Sequence, residues 1–152
     1  MEDERIANNP LSVNHGISPD EDGETVNQTL YRAIIGSLMY LTASSPDIMF
    51  ATFLCACYQA NPKANHMLAA KKILRYLKGT PILGLWYPRK DGFDLTAYSD
   101  SDYGGCKTDY KSTSGGCQFL GSMLVSWQCK KQTAVAQSTC EAEYIGGASC
   151  TS

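Results

Sequence analysis

The fold is recognised most readily from residues 94–105, which read DLTAYSDSDYGG. Apolar and polar side chains alternate from Leu95 to Asp100, which is the two-residue period of a pleated strand. Asp102 follows two residues later, just before a Gly-Gly pair that breaks the pattern. A carboxylate at a strand end is held rigidly and faces solvent, which suits it to bind a divalent metal. The plainer interpretation is that Asp and Gly serve here as turn residues.

Composition places the chain among ordinary globular domains. Its 152 residues suffice for one domain, or for a small domain with an appendage. Hydrophobic residues make up 43%, and the net charge of −2 means that any surface attracting nucleic acid must be local. No run of about 18 apolar residues occurs, and no apolar segment follows the acidic start. We therefore expect no membrane contact, no signal peptide, and a cytoplasmic or nuclear location.

The seven cysteines favour reduced, buried thiols over a disulfide framework or a metal site. Their number is odd, and no secretory signal accompanies them. No Cys-x-x-Cys pair occurs, and both histidines, His15 and His66, lie far from the cysteines that begin at Cys106. A structural zinc site is therefore not expected.

The N-terminal half is predicted to be helical after a disordered lead-in at residues 1–26, where apolar periodicity is weak. Three apolar stripes with three- and four-residue spacing predict three helices. These helices are expected to begin near Asn27, Ser45 and Lys63, with Ser45 capping the second one. Residues 27–80 are therefore assigned to one helical segment.

The third predicted helix carries positive charge on a second face. Lys71, Arg75 and Lys78 are spaced four and three residues apart, and Lys72 is adjacent. A solvated face with cations near the C-terminal end of a helix dipole is the ordinary interpretation. The alternative is a contact with nucleic-acid phosphates that is independent of sequence.

From residue 81 the period changes from helix to strand. The predicted strands cover residues 83–87, 95–100, 115–120 and 123–130, and the last two form a hairpin. The run from Ser138 to Glu141 has the form of a capping box, in which Ser138 covers the amide of Glu141 and Glu141 reaches back. A short final helix carrying Glu143 should follow, which makes the fold class α+β.

The order of these motifs resembles the Pol polyprotein of copia-type retrotransposons. The matching stretches lie between residues 18 and 152 and read LYRAIIGSLMYLTASSPDIMFA, ANPKANHMLAAKKILRYLKGT, GLWYP, YSDSDYGGCKTDYKSTSGGCQFLG, VSWQCKKQ and STCEAEYI. The resemblance implies the end of a reverse transcriptase and its connection up to about residue 80. It implies the first half of a ribonuclease H domain over residues 81–152, with a truncated antiparallel sheet and a short C-terminal helix.

The resemblance also implies a site and its chemistry. The family enzyme cuts the RNA strand of an RNA–DNA hybrid with two divalent ions, normally magnesium, held by carboxylates. Asp100 matches the first metal-binding Asp, Glu143 matches the Glu on the first helix, and Asp102 in the same motif is a further candidate ligand. Because the later aspartates of the family are lacking, we expect weak or absent magnesium binding. We expect the isolated chain to be neither a competent nuclease nor a polymerase.

Two alternatives remain open from the sequence. One is a non-enzymatic nucleic-acid-binding piece that uses Lys71, Lys72, Arg75 and Lys78; the other is a recruited interaction or effector-like protein.

The resemblance adds one expectation about assembly. In the complete family fold, later strands pair beside the strand of Asp100, so in this chain that strand should be an exposed edge. Copies of the chain could then self-associate through it.

Overall fold

The computed structural model of the chain describes residues 5–12, 17–89, 92–106 and 109–150. Contacts divide the chain into two units, Met1–Gly84 and Leu85–Ser152. The helices are α1 (Gln28–Leu41), α2 (Met49–Ala56), α3 (Ala64–Gly79) and α4 (Thr139–Cys150). The strands are β1 (Leu95–Ser101), β2 (Thr113–Leu120) and β3 (Met123–Lys131). The predicted α+β class is confirmed: three helices precede an antiparallel sheet, and a short helix follows it.

Helix α1 begins where the sequence predicted a helix, because Asn27 caps it. The side-chain oxygen of Asn27 accepts the Leu30 N–H at 3.0 Å, which satisfies one of the free amides of the first turn. The stripe that faces the core is fully buried and consists of Tyr31, Ile35 and Leu38. The Tyr31 hydroxyl donates to the carbonyl of Cys55 at 2.8 Å, which links α1 to α2.

The second helix starts differently from the prediction. Ser45 makes no side-chain capping hydrogen bond, so its predicted role as a cap is wrong. Pro46–Ile48 instead forms one 3-10 turn, closed by the Ile48 N–H donating to the Ser45 carbonyl at 3.4 Å. Proline suits this first turn because its φ is fixed and it has no N–H to satisfy.

Buried polar groups at the start of α3 form hydrogen bonds with the segment that precedes α1. His66 is fully buried and stacks on Tyr58, with ring centroids 4.2 Å apart. Its Nδ1 accepts the Lys63 N–H at 2.9 Å, so the ring proton sits on Nε2, which donates to the Ser18 carbonyl at 2.8 Å. The Ala64 N–H donates to the Glu24 carbonyl. The domain boundaries drawn at residues 26 and 80 stay predictions.

The sheet is built in the order β1-β2-β3, with antiparallel pairing throughout. Asp100 of β1 lies opposite Gly115 of β2. A tight turn joins β2 to β3 through Gly121, whose φ of +60° is a conformation that glycine adopts without strain. Among the strands of the described residues, only β2 pairs with β1, so β1 is an edge strand as the sequence predicted.

The strand predicted at residues 83–87 is wrong, because these residues form neither strand nor helix. The run is short, and Pro81 and Pro88 bracket it, so a ladder would lack donors at its ends. Its polar link to the sheet comes from a side chain: the Tyr87 hydroxyl donates to the Leu124 carbonyl at 2.7 Å. Trp86 remains 83% exposed.

Candidate carboxylate site

Asp100 lies one residue before the end of β1, and its side chain is exposed. Successive side chains of a strand point to opposite faces, so Asp100 shares a face with Tyr98, while Ser99 and Ser101 share the other. Tyr98 packs edge-to-face on Phe119 at a centroid distance of 6.0 Å. Asp100 has no hydrogen-bond or ion-pair partner among the described residues, so its carboxylate is available to solvent ions.

Helix α4 packs on the face that carries Ser99 and Ser101. Gly146 approaches β1 closely, because a Cβ at that position would overlap the Oγ of Ser101. The Oγ atoms of Ser101 and Ser114 are 2.9 Å apart, which joins the ends of β1 and β2 beneath the helix. A side chain from just beyond β3 completes this arrangement: Gln132 Nε2 donates at 2.8 Å to Ser114 Oγ and to the Ala142 carbonyl.

The cap of α4 agrees in part with the predicted capping box. Ser138 Oγ accepts the Glu141 N–H at 3.2 Å, as predicted. The Glu141 carboxylate reaches back to the Gln137 N–H at 2.7 Å, one residue before the expected partner. Both contacts satisfy free amides at the helix start, and they fix where the first turn begins.

Glu143 lies in the first turns of α4 and is exposed. Helical periodicity places it beside the buried face formed by Ala142, Gly146 and Cys150, on the same side as Gly147. A Cβ on Gly147 would lie 3.8 Å from the Oγ of Ser99, so this side of α4 faces β1. Glu143 therefore lies on the flank of the helix that is nearer to β1, whereas the side chain of Asp100 projects from the opposite face of that strand.

Asp102 is engaged by its own turn. Its N–H donates to the Thr113 carbonyl at 3.1 Å, and its carboxylate accepts the Thr113 N–H. Gly105 leaves room for this carboxylate, because a Cβ there would overlap it. These contacts give Asp102 a turn-closing role beyond the end of β1, and its assignment as a metal ligand stays a prediction.

Comparison with known proteins decides the family. The chain is 40% identical over 135 residues to the retrovirus-related Pol polyprotein from transposon RE1 of Arabidopsis thaliana, and 38% identical over 135 residues to that from transposon RE2. It belongs to the Pol polyproteins of copia-type retrotransposons. The Pol-related chain spans 9% of the length of each of these two relatives, and the matches cover 89% of its own residues.

Another relative of this Pol-related chain is named as an effector and not as a transposon polyprotein. The secreted RxLR effector protein 161 of Plasmopara viticola is 37% identical over 116 residues, which cover 76% of the chain and 82% of the effector. No protein-family model matches the chain. No solved structure matches it either.

In this copia-type segment, Asp100 and Glu143 lie on two elements that pack together, β1 and α4. Glu143, like Asp100, has no hydrogen-bond or ion-pair partner within the described part of the chain. No group of three or more His, Cys, Asp or Glu side chains in that part is arranged to hold a metal ion. Asp100, Asp102 and Glu143 thus do not form a three-ligand cluster, and a shared ion on Asp100 and Glu143 stays a prediction.

The basic strip of α3, formed by Lys71, Lys72, Arg75 and Lys78, lies away from the helix's buried stripe. That stripe consists of His66, Met67, Ala70, Ile73 and Tyr76. Lys72 Nζ donates to Ser12 Oγ, and Lys78 is exposed. The role of the strip in binding nucleic acid stays a prediction.

The sequence analysis missed one polar cluster, made by Cys106, Asp109 and Lys131. Lys131 Nζ lies 3.0 Å from Cys106 Sγ and 3.2 Å from the nearer carboxylate oxygen of Asp109. The Cys106 thiol and the Lys131 ammonium hold the pKa of the Asp109 carboxyl below its usual value. Cys106 and Lys131 lie 25 positions apart with no spacing signal between them, so only the folded chain reveals the cluster.

None of the helices described in the structure is both long enough and apolar enough to span a membrane.

Proposed function

We propose that the chain is the part of a Pol polyprotein that joins the end of its reverse transcriptase to the start of its ribonuclease H domain. The order of the sequence motifs and the similarity to the transposon polyproteins support this assignment. The observation that carries it is the contact of Gly146 with Ser101, because this contact brings the helix of Glu143 onto the strand of Asp100.

In this proposal Asp100 and Glu143 supply oxygen ligands to a divalent ion. Both carboxylates are exposed, and oxygen atoms are the ligands that magnesium prefers. Bound magnesium would contribute the positive charge that activates a water and stabilises the leaving oxygen of the RNA strand. The backbone of β1 and the cap of α4 fix where the two residues lie, but both side chains are exposed. Asp100 projects from the sheet face opposite α4, so its carboxylate has to reach around the end of β1 to meet Glu143 at one ion.

We expect the 152-residue chain to leave an RNA–DNA hybrid uncut, because two carboxylates are too few for a two-ion site. A labelled hybrid should stay intact with the chain and magnesium, while a ribonuclease H used as a positive control degrades it. Cleavage by the wild-type chain that disappears in Asp100→Asn and in Glu143→Gln would contradict the inactivity and would strengthen the assignment of the site. Cleavage that survives both substitutions would contradict the site itself.

A second candidate function is binding of nucleic acid without catalysis. The basic strip of α3 favours it, because four cations lie away from the buried stripe of one helix. Binding through phosphates should weaken steeply as salt rises. The double variant Lys71→Gln/Lys78→Gln should lower hybrid affinity and flatten the salt dependence, whereas Lys130→Gln on β3 should do neither. Equal losses in both variants would contradict a role of the strip.

A third candidate is a recruited interaction protein, favoured by the match that covers 82% of the Plasmopara viticola effector. None of the seven cysteines, all of which lie in the described residues, forms a disulfide, which agrees with our proposal that the chain works in the cytoplasm or nucleus. An antibody against the α1–α3 region separates this candidate from the first. A band of the size of this chain would support a stand-alone protein, and a band many times larger would support a polyprotein.

A further inference from the structure

The loop after β1 brings a thiol and an amine into direct contact. Lys131, the last residue of β3, places its Nζ 3.0 Å from the Sγ of Cys106. Both side chains are partly buried, so each retains access to small solutes. We propose that oxidation of Cys106 leads to a covalent sulfur–nitrogen bond with Lys131, a sulfenamide. This proposal rests on the local geometry alone and does not depend on the proposed function.

Backbone hydrogen bonds hold the two groups in place independently of their side chains. The Cys106 N–H donates to the Lys111 carbonyl at 3.2 Å, and the Tyr110 N–H donates to the Cys106 carbonyl at 2.8 Å. Lys131 pairs with Thr113 in the β2–β3 ladder. The sulfur and the nitrogen are thus positioned before any reaction, which removes most of the entropic cost of bringing them together.

The reaction balances with hydrogen peroxide as the oxidant. The Cys106 thiolate attacks one peroxide oxygen, the O–O bond breaks, and the products are a sulfenic acid and water once the released hydroxide takes up a proton. The Lys131 amine, after its ammonium has lost a proton to solvent, then attacks the sulfur. The S–N bond forms, the S–O bond breaks, and a second water leaves with a proton from the nitrogen. The net change is the loss of one hydrogen from sulfur and one from the neutral amine.

Three other cysteines, Cys55, Cys140 and Cys150, lack this combination of access and amine. Burial raises the pKa of the Cys55 thiol to about 12, so almost no thiolate forms there at neutral pH. Cys150 is buried, and its Sγ contacts the Tyr98 carbonyl at 3.4 Å. Cys140 is exposed, and no lysine contacts it within the described residues. Peroxide should therefore oxidise Cys140 as well, but without an amine in contact Cys140 should stop at the sulfenic acid or go on to higher oxides.

The new bond would join the loop after β1 to the end of β3 across β2. It would remove the positive charge of Lys131 and with it the ion pair to Asp109. The turn that contains Asp102 lies within the same loop, so this turn should become more rigid when the bond forms. A reductant should cleave the bond and restore both side chains.

The test treats the full chain with hydrogen peroxide, blocks the remaining thiols, and maps chymotryptic peptides by mass spectrometry. We expect a linked pair of peptides that contains Cys106 and Lys131, lighter than the sum of the two by two hydrogen atoms. Dithiothreitol should release it. Cys106→Ser and Lys131→Arg should abolish the link, and Lys130→Arg should retain it; matching circular dichroism spectra of the reduced variants establish that all are folded.

Three results would overturn the proposal. The first is Cys106 carried to sulfenic or sulfinic acid while Lys131 stays unmodified. The second is a link to Lys130 or Lys111 that is as abundant as the link to Lys131, because the contact would then not direct the reaction. The third is persistence of the linked pair in Lys131→Arg, since that side chain has no primary amine.

Discussion

The two units of the chain bury their side chains in different ways. In Met1–Gly84, twelve buried side chains between Ile17 and Tyr76 form one cluster of mostly large residues. In Leu85–Ser152, the buried apolar residues among those described are the small Ala136, Ala142 and Cys150. The first unit is therefore held by burial of apolar surface, and the second by close contacts of small residues and by hydrogen bonds.

The same difference determines how the candidate site is held. Small residues let α4 approach β1 closely, which brings Asp100 and Glu143 onto neighbouring elements, but they remove little apolar surface from water. Large side chains remain exposed in the same unit, among them Phe93, Tyr98 and Tyr144. We therefore expect the carboxylate-bearing unit to be the less stable of the two.

The largest effect should come from truncating the core of the first unit. Leu38→Ala removes a fully buried side chain and should lower the free energy of unfolding of that unit by about 3 kcal/mol. Leu30→Ala on the same helix, where the side chain is 54% exposed, is the matched control and should change it by less than about 0.5 kcal/mol. Hydrogen exchange of amides in α1 and α3 provides the measurement. Equal losses in both variants would contradict the assigned core.

The next effect should come from filling the contact between α4 and β1. Gly146→Val places methyl groups where Ser101 lies and should destabilise the second unit by about 2 kcal/mol relative to Gly147→Val. The two substitutions have the same cost in helix propensity, so their difference isolates the contact. Exchange rates of the β1 and α4 amides measure it. If the two variants behave alike, the close approach of Gly146 is not what holds the helix.

A smaller effect, of opposite sign, is expected at Thr52. Its hydroxyl is buried in the first unit, and its Oγ1 has no hydrogen-bond partner within the described residues. Thr52→Val removes the unsatisfied oxygen at nearly constant volume and should raise the free energy of unfolding by about 1 kcal/mol. Denaturant unfolding of the full chain, followed by fluorescence, checks it. A loss of stability would indicate that the hydroxyl has a partner in solution.

The smallest effect concerns pH and the loop of the second unit. The pKa of Asp109 is lowered from 3.8 by the Cys106 thiol and by Lys131. The charged carboxylate therefore stabilises the folded loop, and this contribution is complete above pH 3.8. It is lost as the pH falls below 3.8 and through the lower folded pKa, because protonation removes the charge that Lys131 pairs with. Carboxyl carbon chemical shifts followed by NMR should show an Asp109 midpoint below that of the same residue in Lys131→Gln. Identical midpoints would contradict the ion pair.

The periodicity of apolar residues allowed the helices and most strands to be predicted from the sequence. It did not predict contacts between residues that are distant in the chain. Tyr31, Ile35 and Leu38 gave α1 its position because their spacing alone defines a buried stripe. The strand at residues 83–87 failed because an apolar run carries no information about whether a partner strand is in reach.

Gly146 shows in the same way that the sequence does not predict contacts between distant residues. From the sequence, Gly146 only weakens a helix. In the folded chain α4 continues through it to Cys150, and Gly146 lies so close to Ser101 of β1 that a Cβ would not fit. Asp100 and Glu143 could be named from the family motifs, but their placement on packed elements required the contact between Gly146 and Ser101. The cluster of Cys106, Asp109 and Lys131 had no signal at all.

The proposed function depends on one divalent ion shared by Asp100 and Glu143. Titration of the isotope-labelled chain with Mn²⁺, a paramagnetic stand-in for magnesium, can show whether they share it. We predict that amide signals around both residues broaden at the same Mn²⁺ concentration, and that Asp100→Asn reduces the broadening around Glu143 as well. Broadening at either residue that is indifferent to substitution of the other, or no selective broadening, would contradict the claim.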